Sequence, residues 1–204
     1  MANVVTRKGQ VLQDPPIVQK LLSDPRAGWI WFLLRIWLGW QWISASMHKL
    51  TDPGWVTTGE ALKGYWVHAI AIPETGRPAI AFGWYRSFIE FMLSVHAYTW
   101  FAKLVTAGEL LVGIALIIGA FTGIAAFFGA LMNWNYMMAG SASTNPMLFV
   151  VAVGLILAWK VAGYIGADYF LLQFLGTPWQ PGLSGSGQKK GAVGQTRQQP
   201  AQGD

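Results

Sequence analysis

One acidic residue, Glu109, lies near the middle of the most apolar stretch of the chain. This stretch, Tyr98–Ile118, reads YTWFAKLVTAGELLVGIALII, and about 20 residues at a helical rise of ~1.5 Å cross the ~30 Å hydrocarbon core of a bilayer. A carboxylate at that depth costs at least ~2.5 kcal/mol unless it is paired, protonated or turned toward the protein interior. The sequence therefore predicts that Glu109 has partners on neighbouring helices.

Steps of three and four residues place polar and small side chains on one face of an earlier apolar segment, at Arg35, Gly39, Trp42, Ser46 and Lys49. The same spacing gives the Glu109 segment a matching face, with Ala102, Thr106, Glu109 and Gly113. If the two segments pack antiparallel, we expect Arg35 and Glu109 near mid-depth, within about one helical turn, ~5.4 Å, of each other.

Two interpretations of an Arg35–Glu109 pair stay open. In the functional one, Glu109 is a catalytic proton acceptor or the partner of a quinone hydroxyl, and Arg35 keeps it ionised. The candidate binding residues around this pair are Gln41, Trp42, His48, Lys49, Lys103, Asn133 and Asn135. In the structural one, the pair only fixes the helix register, because ion pairs inside membranes serve either purpose.

The sequence offers no pattern typical of a metal site. His48, His68 and His96 lack a ligand spacing such as HxxxH, so we predict no metal ligands. The chain contains no cysteine, which excludes disulfides, thiolate metal sites and cysteine-ligated iron–sulfur clusters made by this chain. We therefore predict no covalent cofactor, with quinone as the candidate bound one.

The composition is typical of a membrane protein. Hydrophobic residues make up 53% of the 204 residues and charged residues only 11%, whereas soluble domains carry about 25% charged residues. The 12 Trp and 24 Gly suit membrane helices, where aromatic rings lie at the interfaces and glycines allow close helix contact. Much of the net charge of +5 comes from the terminal segments, which favours membrane orientation over nucleic-acid binding.

Four apolar segments predict four membrane-spanning helices, over about 27–47, 98–118, 122–139 and 147–165, within a membrane domain over 27–175. The predicted fold class is an all-α membrane protein with a four-helix bundle. The connection over 51–97 is long, and its apolar spacing predicts amphipathic helices over about 58–72 and 84–95. Residues 1–26 are a polar N-terminal segment, and 180–204, rich in Gly, Gln and Ser, are a predicted disordered tail.

The basic residues of the terminal segments predict the orientation in the membrane. Four spans place both termini on the same side of the bilayer. The positive-inside rule makes that side the cytoplasm and leaves the long connection outside. The residues that carry this prediction are Arg7, Lys8, Lys20, Arg26, Lys189, Lys190 and Arg197.

Short motifs occur along residues 28–165: R-x-x-x-G from Arg35, HKL at His48–Leu50, TDPGW at Thr51–Trp55, GELLVGIALIIGAFT at Gly108–Thr122, and an NWN…NP run over 133–146. Together they resemble the DoxX/DoxD family of prokaryotic membrane proteins. The resemblance implies a four-helix bundle in the cytoplasmic (inner) membrane, with Glu109 and Lys49 as signature positions. The family takes its name from the large membrane subunit of an archaeal thiosulfate:quinone oxidoreductase. In mycobacteria, a member associates with a superoxide dismutase and a sulfurtransferase-like protein.

The resemblance leaves two functions open. One is a membrane subunit of a quinone-linked redox system, similar to thiosulfate:quinone oxidoreductase, with quinone bound inside the bundle. The other is a non-catalytic membrane anchor or assembly subunit that recruits redox enzymes or a larger membrane complex. Both lead us to expect a protein partner or a homo-oligomer. A small-solute permease is a weaker third alternative, because four helices leave little room for alternating access.

Overall fold

The chain is mainly helical in a computed structural model that describes residues 4–5, 11–12, 14–177 and 180–183. The helices are α1 (Pro16–Ser23), α2 (Gly28–Leu50), α3 (Pro53–Val56), α4 (Glu60–Ile70), α5 (Gly83–Ser94), α6 (Tyr98–Ile118), α7 (Thr122–Met138), α8 (Asn145–Leu157), α9 (Trp159–Ala162) and α10 (Asp168–Leu175). A 3-10 turn over Pro25–Ala27 precedes α2. Two short strand pairs complete the described part of the chain: β1 (Val4–Val5) with β2 (Val11–Leu12), and β3 (Gly176–Thr177) with β4 (Gln180–Pro181). These elements agree with the all-α prediction.

The bundle consists of α2, α6, α7 and α8. The predicted helix over 98–118 coincides with α6, and α2 extends the first predicted helix to Leu50. The fourth predicted helix, over 147–165, is shorter in the structure, because α8 ends at Leu157 and the chain turns at Ala158 before α9. Within the described residues, α6 alone is long and apolar enough to cross a bilayer by length and composition, with 21 residues and a mean hydropathy of 2.0.

The helices α2 and α6 touch backbone to backbone at two glycines. A Cβ atom added to Gly39 or Gly113 would lie 2.9 Å from the other residue's carbonyl oxygen, a distance that side-chain carbons essentially never adopt. Two turns further along α2, Ser46 Oγ donates a hydrogen bond of 3.2 Å to the Thr106 carbonyl. Together these contacts fix the antiparallel register, with position 39 opposite 113 and position 46 opposite 106.

The connection between α2 and α6 folds onto one end of the bundle. Its helices α4 and α5 share a buried apolar cluster with the start of α6 and with the residue after α7. The members of this cluster are Leu62, Trp66, Ala69, Ile80, Tyr85, Ile89, Met92, Ala97, Tyr98, Ala102 and Ala139. Where the sequence predicts helices over 58–72 and 84–95, the structure has α4 and α5. The connection is therefore part of the packed fold at the end where α2 finishes and α6 begins.

Several of the predicted features fall on residues that the structure does not describe. They include Arg7 and Lys8 in the N-terminal segment and residues 184–204 of the predicted tail, with Lys189, Lys190 and Arg197. The first residues of that tail, Gln180–Pro181, pair with Gly176–Thr177.

Candidate functional site

Glu109 lies in the middle of α6 and is 1% exposed. Its carboxylate accepts hydrogen bonds from Lys49 Nζ, at 2.8 Å to Oε1 and 2.7 Å to Oε2. The Tyr136 hydroxyl donates a third, of 2.6 Å, to Oε1. A cation and a neutral donor on two other helices therefore compensate the buried charge, as a carboxylate inside a membrane requires.

The register of α2 against α6 explains why Lys49 reaches Glu109. Position 43 of α2 is level with Glu109, so Lys49 starts six residues away, about 9 Å along the axis. Side chains of a helix tilt toward its N-terminus. In this antiparallel pair, that tilt turns Lys49 and Glu109 toward each other, and the long lysine stem spans the remaining gap.

Aromatic rings hold the Lys49 ammonium in place. Nζ lies 5.1 Å from the ring centroid of Trp55 and 6.0 Å from that of Tyr136, distances at which a cation is attracted to a ring face. The Lys49 side chain is 16% exposed. The cluster of Lys49, Glu109 and Tyr136, which we name the ion-pair cluster, is thus fixed from three helices and from the connection.

The ion-pair cluster forms part of the wall of a cavity of about 450 Å³. The cavity lies between α2, α6, α7 and the start of α8, beneath the connection. Its lining residues are Gln41, Trp42, Ser44, Ala45, Lys49, Trp55, Tyr65, Glu109, Tyr136, Ser141, Ser143, Thr144, Asn145 and Leu148. Lys49 and Glu109 are the charged members of this lining, and the rest are aromatic rings, hydroxyls, amides and small apolar groups. Such a surface suits a neutral, partly aromatic ligand that also forms hydrogen bonds.

Two tyrosines of the connection are neutral hydrogen-bonding groups at neutral pH. Burial raises the pKa of the Tyr65 hydroxyl, an effect that nearby Ser141 partly offsets. Burial also raises the pKa of Tyr85 to about 12, and its hydroxyl donates to the Asn135 carbonyl at 3.1 Å. Because Tyr65 lines the cavity, it adds a polar group there without adding a charge.

The predicted Arg35–Glu109 pair is wrong, because Arg35 lies toward the opposite end of the bundle. It is eight residues from the level of Glu109, about 12 Å along α2, and its side chain tilts the other way. Arg35 Nη2 donates a hydrogen bond of 2.7 Å to the Ile165 carbonyl, and its guanidinium lies 5.5 Å from the ring of Phe32. Arg35 is 1% exposed and packs at the end of α6, so it contacts no part of the cavity.

The other predicted site residues fall into three groups. Gln41 and Trp42 line the cavity together with Lys49. Asn133 is fully buried and is not a lining residue. Asn135 turns away, because its Nδ2 donates to the Leu131 carbonyl and its Oδ1 accepts from the Tyr85 hydroxyl. His48 and Lys103 are exposed and outside the lining.

Three aromatic residues of the site are not among those predicted from the sequence. Tyr136 lies three residues after Asn133, on the same face of α7, and this spacing is the signal that could have identified it. Trp55 belongs to the TDPGW motif but carries no pattern that connects it to Lys49. Tyr65 is indistinguishable by spacing from the apolar residues of α4, since its position over the cavity depends on how the connection folds back.

Comparisons with known proteins give one match. The sequence model of the DoxX family matches residues 30–142, which is more than half of the chain. No curated protein and no solved structure matches it. The matched region contains the whole ion-pair cluster and the connection that covers the cavity, and α8 lies beyond it.

Proposed function

Because the chain belongs to the DoxX family of membrane proteins, we propose that it is the membrane subunit of a quinone-linked redox system. In this proposal the cavity binds the quinone headgroup. The observation that supports it is the position of the ion-pair cluster: a buried, charge-balanced carboxylate on the wall of a cavity of about 450 Å³. Cavities that hold small organic ligands have volumes of roughly 300–1,000 Å³, so the size suits a substituted six-membered ring.

The ion-pair cluster has hydrogen-bonding capacity left for a ligand oxygen. A carboxylate offers about four lone-pair sites, and among the described residues Glu109 accepts from Lys49 and Tyr136. The Tyr136 oxygen keeps its lone pairs while its hydrogen points at Glu109, and an ammonium has three N–H donors. A hydroquinone hydroxyl therefore donates to Tyr136 or Glu109, and a quinone oxygen accepts from Lys49.

The cluster supplies proton transfer, and a partner supplies or takes the electrons. Oxidation of a hydroquinone to a quinone releases two electrons and two protons. In this proposal Glu109, reached through Tyr136, accepts one of these protons, water takes the other, and the partner takes both electrons. When quinone is reduced, the same groups return the protons and the partner supplies the electrons. The sequence has no cysteine, so in a thiosulfate:quinone version of the reaction any persulfide chemistry belongs to the partner subunit.

Substitution of the carboxylate tests the quinone site directly. We expect the purified protein in detergent to bind a decyl-substituted p-hydroquinone, and Glu109→Gln to weaken that binding about 10–100-fold, because a hydrogen bond to a charged group contributes about 1.5–3 kcal/mol. Isothermal titration calorimetry measures both affinities. The matched control is Glu90→Gln, which makes the same change at an exposed position of α5 outside the cavity and should bind like the wild type. Equal affinity of all three proteins would contradict a quinone site at Glu109.

An exposed aromatic face on α5 favours a second candidate function. Trp84, Phe88 and Phe91 lie at steps of four and three and are exposed, so α5 presents one apolar face on the connection. A non-catalytic anchor would use such a face to recruit a soluble redox enzyme. Stoichiometric co-purification of a soluble enzyme, with no quinone in an organic extract of the complex, would support the anchor and count against the quinone site.

The proposed topology has four spans in the inner membrane of a prokaryote. The spans are α2, α6, α7 and the combined α8–α9 segment, whose 18 positions from Asn145 to Ala162 cover about 27 Å if largely helical. Lys20 and Arg26, among the described residues, support cytoplasmic termini. The connection over 51–97, and with it the covered end of the cavity, then faces the extracytoplasmic side.

Reporter fusions test this topology. Alkaline phosphatase fused after Gly76, in the connection, should be active, because the enzyme needs an oxidising compartment for its disulfides. The same reporter after Gly191, in the C-terminal segment, should be inactive, and a fluorescent cytoplasmic reporter should give the opposite pattern. Identical labelling at both positions would be incompatible with four spans.

A further inference from the structure

Four buried polar atoms at the cavity or next to it have no hydrogen-bond partner among the described residues. One is the hydroxyl oxygen of Tyr65 in the connection, and the other three, inside the bundle, are Oδ1 and Nδ2 of Asn133 and Nε1 of Trp42. Asn133 is 0% exposed and Trp42 is 2% exposed, so all three atoms are enclosed by the bundle. At least about 90% of buried polar groups in proteins are paired. An amide that is unpaired at both ends in a helix core therefore points to a polar partner other than the described residues.

The indole ring of Trp42 reaches α7 at Gly129, one helical turn before Asn133. Trp42 Nε1 is 3.1 Å from the position that a Cβ atom would take at Gly129. Asn133 lies on the same buried face of α7, one turn or about 6 Å further along. Because Gly129 has no side chain, the indole N–H approaches the α7 backbone closely, on the side where Asn133 is buried.

The unpaired atoms lie next to residues that line the part of the cavity nearest the middle of the bundle, and Asn133 itself lies behind that lining. Trp42 lines the cavity and precedes Lys49 by seven residues, about 10 Å along α2. Tyr136, which also lines the cavity, follows Asn133 by three residues and so shares its face of α7. Asn133 is thus flanked by two lining residues, while Lys49 and Trp55 mark the end of the cavity beneath the connection.

We propose that Trp42 and Asn133 form an inner subsite for the second oxygen of a two-oxygen ring, whose first oxygen binds at the ion-pair cluster. The inference rests on the proposed quinone site and specifies its ligand class. Trp42 Nε1 and Asn133 Nδ2 donate to a quinone carbonyl oxygen, and Asn133 Oδ1 accepts from the hydroxyl of the reduced form. The site therefore selects p-quinones and p-hydroquinones over phenols with a single oxygen.

If Asn133 binds the ligand, its amide contributes to ligand affinity and not to the stability of the ligand-free protein. Leucine has the same branching as asparagine and carries no polar atoms. Asn133→Leu removes two orphaned polar atoms from the core, so the ligand-free variant should melt at the same temperature as the wild type or higher. Asn135→Leu is the matched control on the same helix. It breaks hydrogen bonds with Leu131 and Tyr85 and should lower the melting temperature.

The test compares a decyl-substituted p-hydroquinone with the two decylphenols that each lack one of its hydroxyls. We expect the wild type to bind the hydroquinone about tenfold more tightly than either phenol, because each phenol lacks one hydrogen bond and a hydrogen bond contributes about this factor. Asn133→Leu should reduce the affinity for the hydroquinone about tenfold. It should leave unchanged the affinity for the phenol that lacks the hydroxyl of the inner subsite, so the preference for the hydroquinone over that phenol disappears. Trp42→Phe keeps an aromatic ring and removes the N–H, so it should also reduce the preference for the hydroquinone over that phenol. This variant replaces Asn133→Leu in the test if Asn133→Leu does not fold.

The outcomes separate the inner subsite from the quinone site as a whole. If the hydroquinone binds and Glu109→Gln weakens it, but Asn133→Leu and Trp42→Phe keep the wild-type preference over both phenols, the inner subsite is wrong and the quinone site stands. If the wild type binds none of the three compounds, both fail. A fall in the melting temperature of Asn133→Leu as large as that of Asn135→Leu would also overturn the subsite, because the Asn133 amide would then hold the fold.

Discussion

Lys49→Met is expected to lower the free energy of unfolding by about 3–5 kcal/mol, because it leaves the Glu109 carboxylate buried without its cation. Glu109→Gln should cost less, about 1–3 kcal/mol, through the loss of a charge-assisted hydrogen bond. The asymmetry follows from burial: Glu109 is 1% exposed, whereas the side chain of Lys49 is 16% exposed and its ammonium turns toward water when its partner is neutral. Unfolding in mixed micelles with increasing SDS measures both changes.

The double variant Lys49→Met/Glu109→Gln tests whether the two side chains interact. Replacing both members of a buried pair is often nearly neutral, and the glutamine oxygen still accepts from Tyr136 in place of the carboxylate. We therefore expect the double variant to be more stable than Lys49→Met alone, although it should bind no hydroquinone tightly. If the double variant loses as much free energy of unfolding as the two single variants together, Lys49 and Glu109 do not stabilise each other.

Arg35 provides the contrasting case in the same experiment. It lies about 12 Å along α2 from the level of Glu109 and contacts the Ile165 carbonyl. Effects of distant residues add within about 0.3–0.5 kcal/mol. The loss in free energy of unfolding of Arg35→Leu/Glu109→Gln should therefore equal the sum of the losses of the two single variants. Arg35→Leu alone should leave the affinity for the hydroquinone unchanged. This variant separates the ion-pair cluster from the buried cation at the other end of the bundle.

Gly113→Val should be among the most damaging single substitutions in the bundle, with a cost of about 3 kcal/mol or more. A Cβ atom at this position would lie 2.7 Å from Ile43 Cγ1 and 2.9 Å from the Gly39 carbonyl oxygen, and Val adds two further carbons. Overpacking of a well-filled contact costs about 1–3 kcal/mol, and occasionally more. Here the obstacle is largely backbone, so α2 and α6 must separate, and that separation also weakens the Lys49–Glu109 contact and ligand binding.

Gly64→Ala is the control for this prediction. Gly64 lies inside α4, where an added Cβ atom meets nothing within 4 Å. Alanine is favoured over glycine in a helix interior by roughly 0.5–1 kcal/mol, so this variant should be slightly stabilised. In the same detergent, the free energy of unfolding should fall for Gly113→Val and rise for Gly64→Ala. A Gly113→Val variant as stable as the wild type would rule out the close backbone contact of α2 with α6.

The helices α2, α6 and α7 and the faces that they bury can be predicted from the sequence alone, whereas the end of α8 at Leu157 cannot. Hydrophobic spacing predicts the bounds of α6, and its predicted face of Ala102, Thr106, Glu109 and Gly113 is buried in the structure. The same holds for Arg35, Gly39, Trp42 and Ser46 on α2. These properties are local, because the 3.6-residue period assigns each side chain to a face whatever the helix packs against.

The cation that pairs with Glu109 depends on how the helices pack. Arg35 and Lys49 lie on the same face of α2, so periodicity cannot distinguish them. The choice depends on the axial register, which the contact of Gly39 with Gly113 fixes, and on the tilt of side chains toward the helix N-terminus, which brings Lys49 toward Glu109 and turns Arg35 away.

The cavity likewise exists only in the folded protein. Its lining combines α2, α6 and α7 with Trp55 and Tyr65 of the connection and with the loop before α8. These residues carry no common spacing, because they converge only when the connection packs on the bundle through its own apolar cluster. A pattern along the chain predicts the face of one helix, whereas a cavity depends on the distances between several helices, and those distances are set by packing.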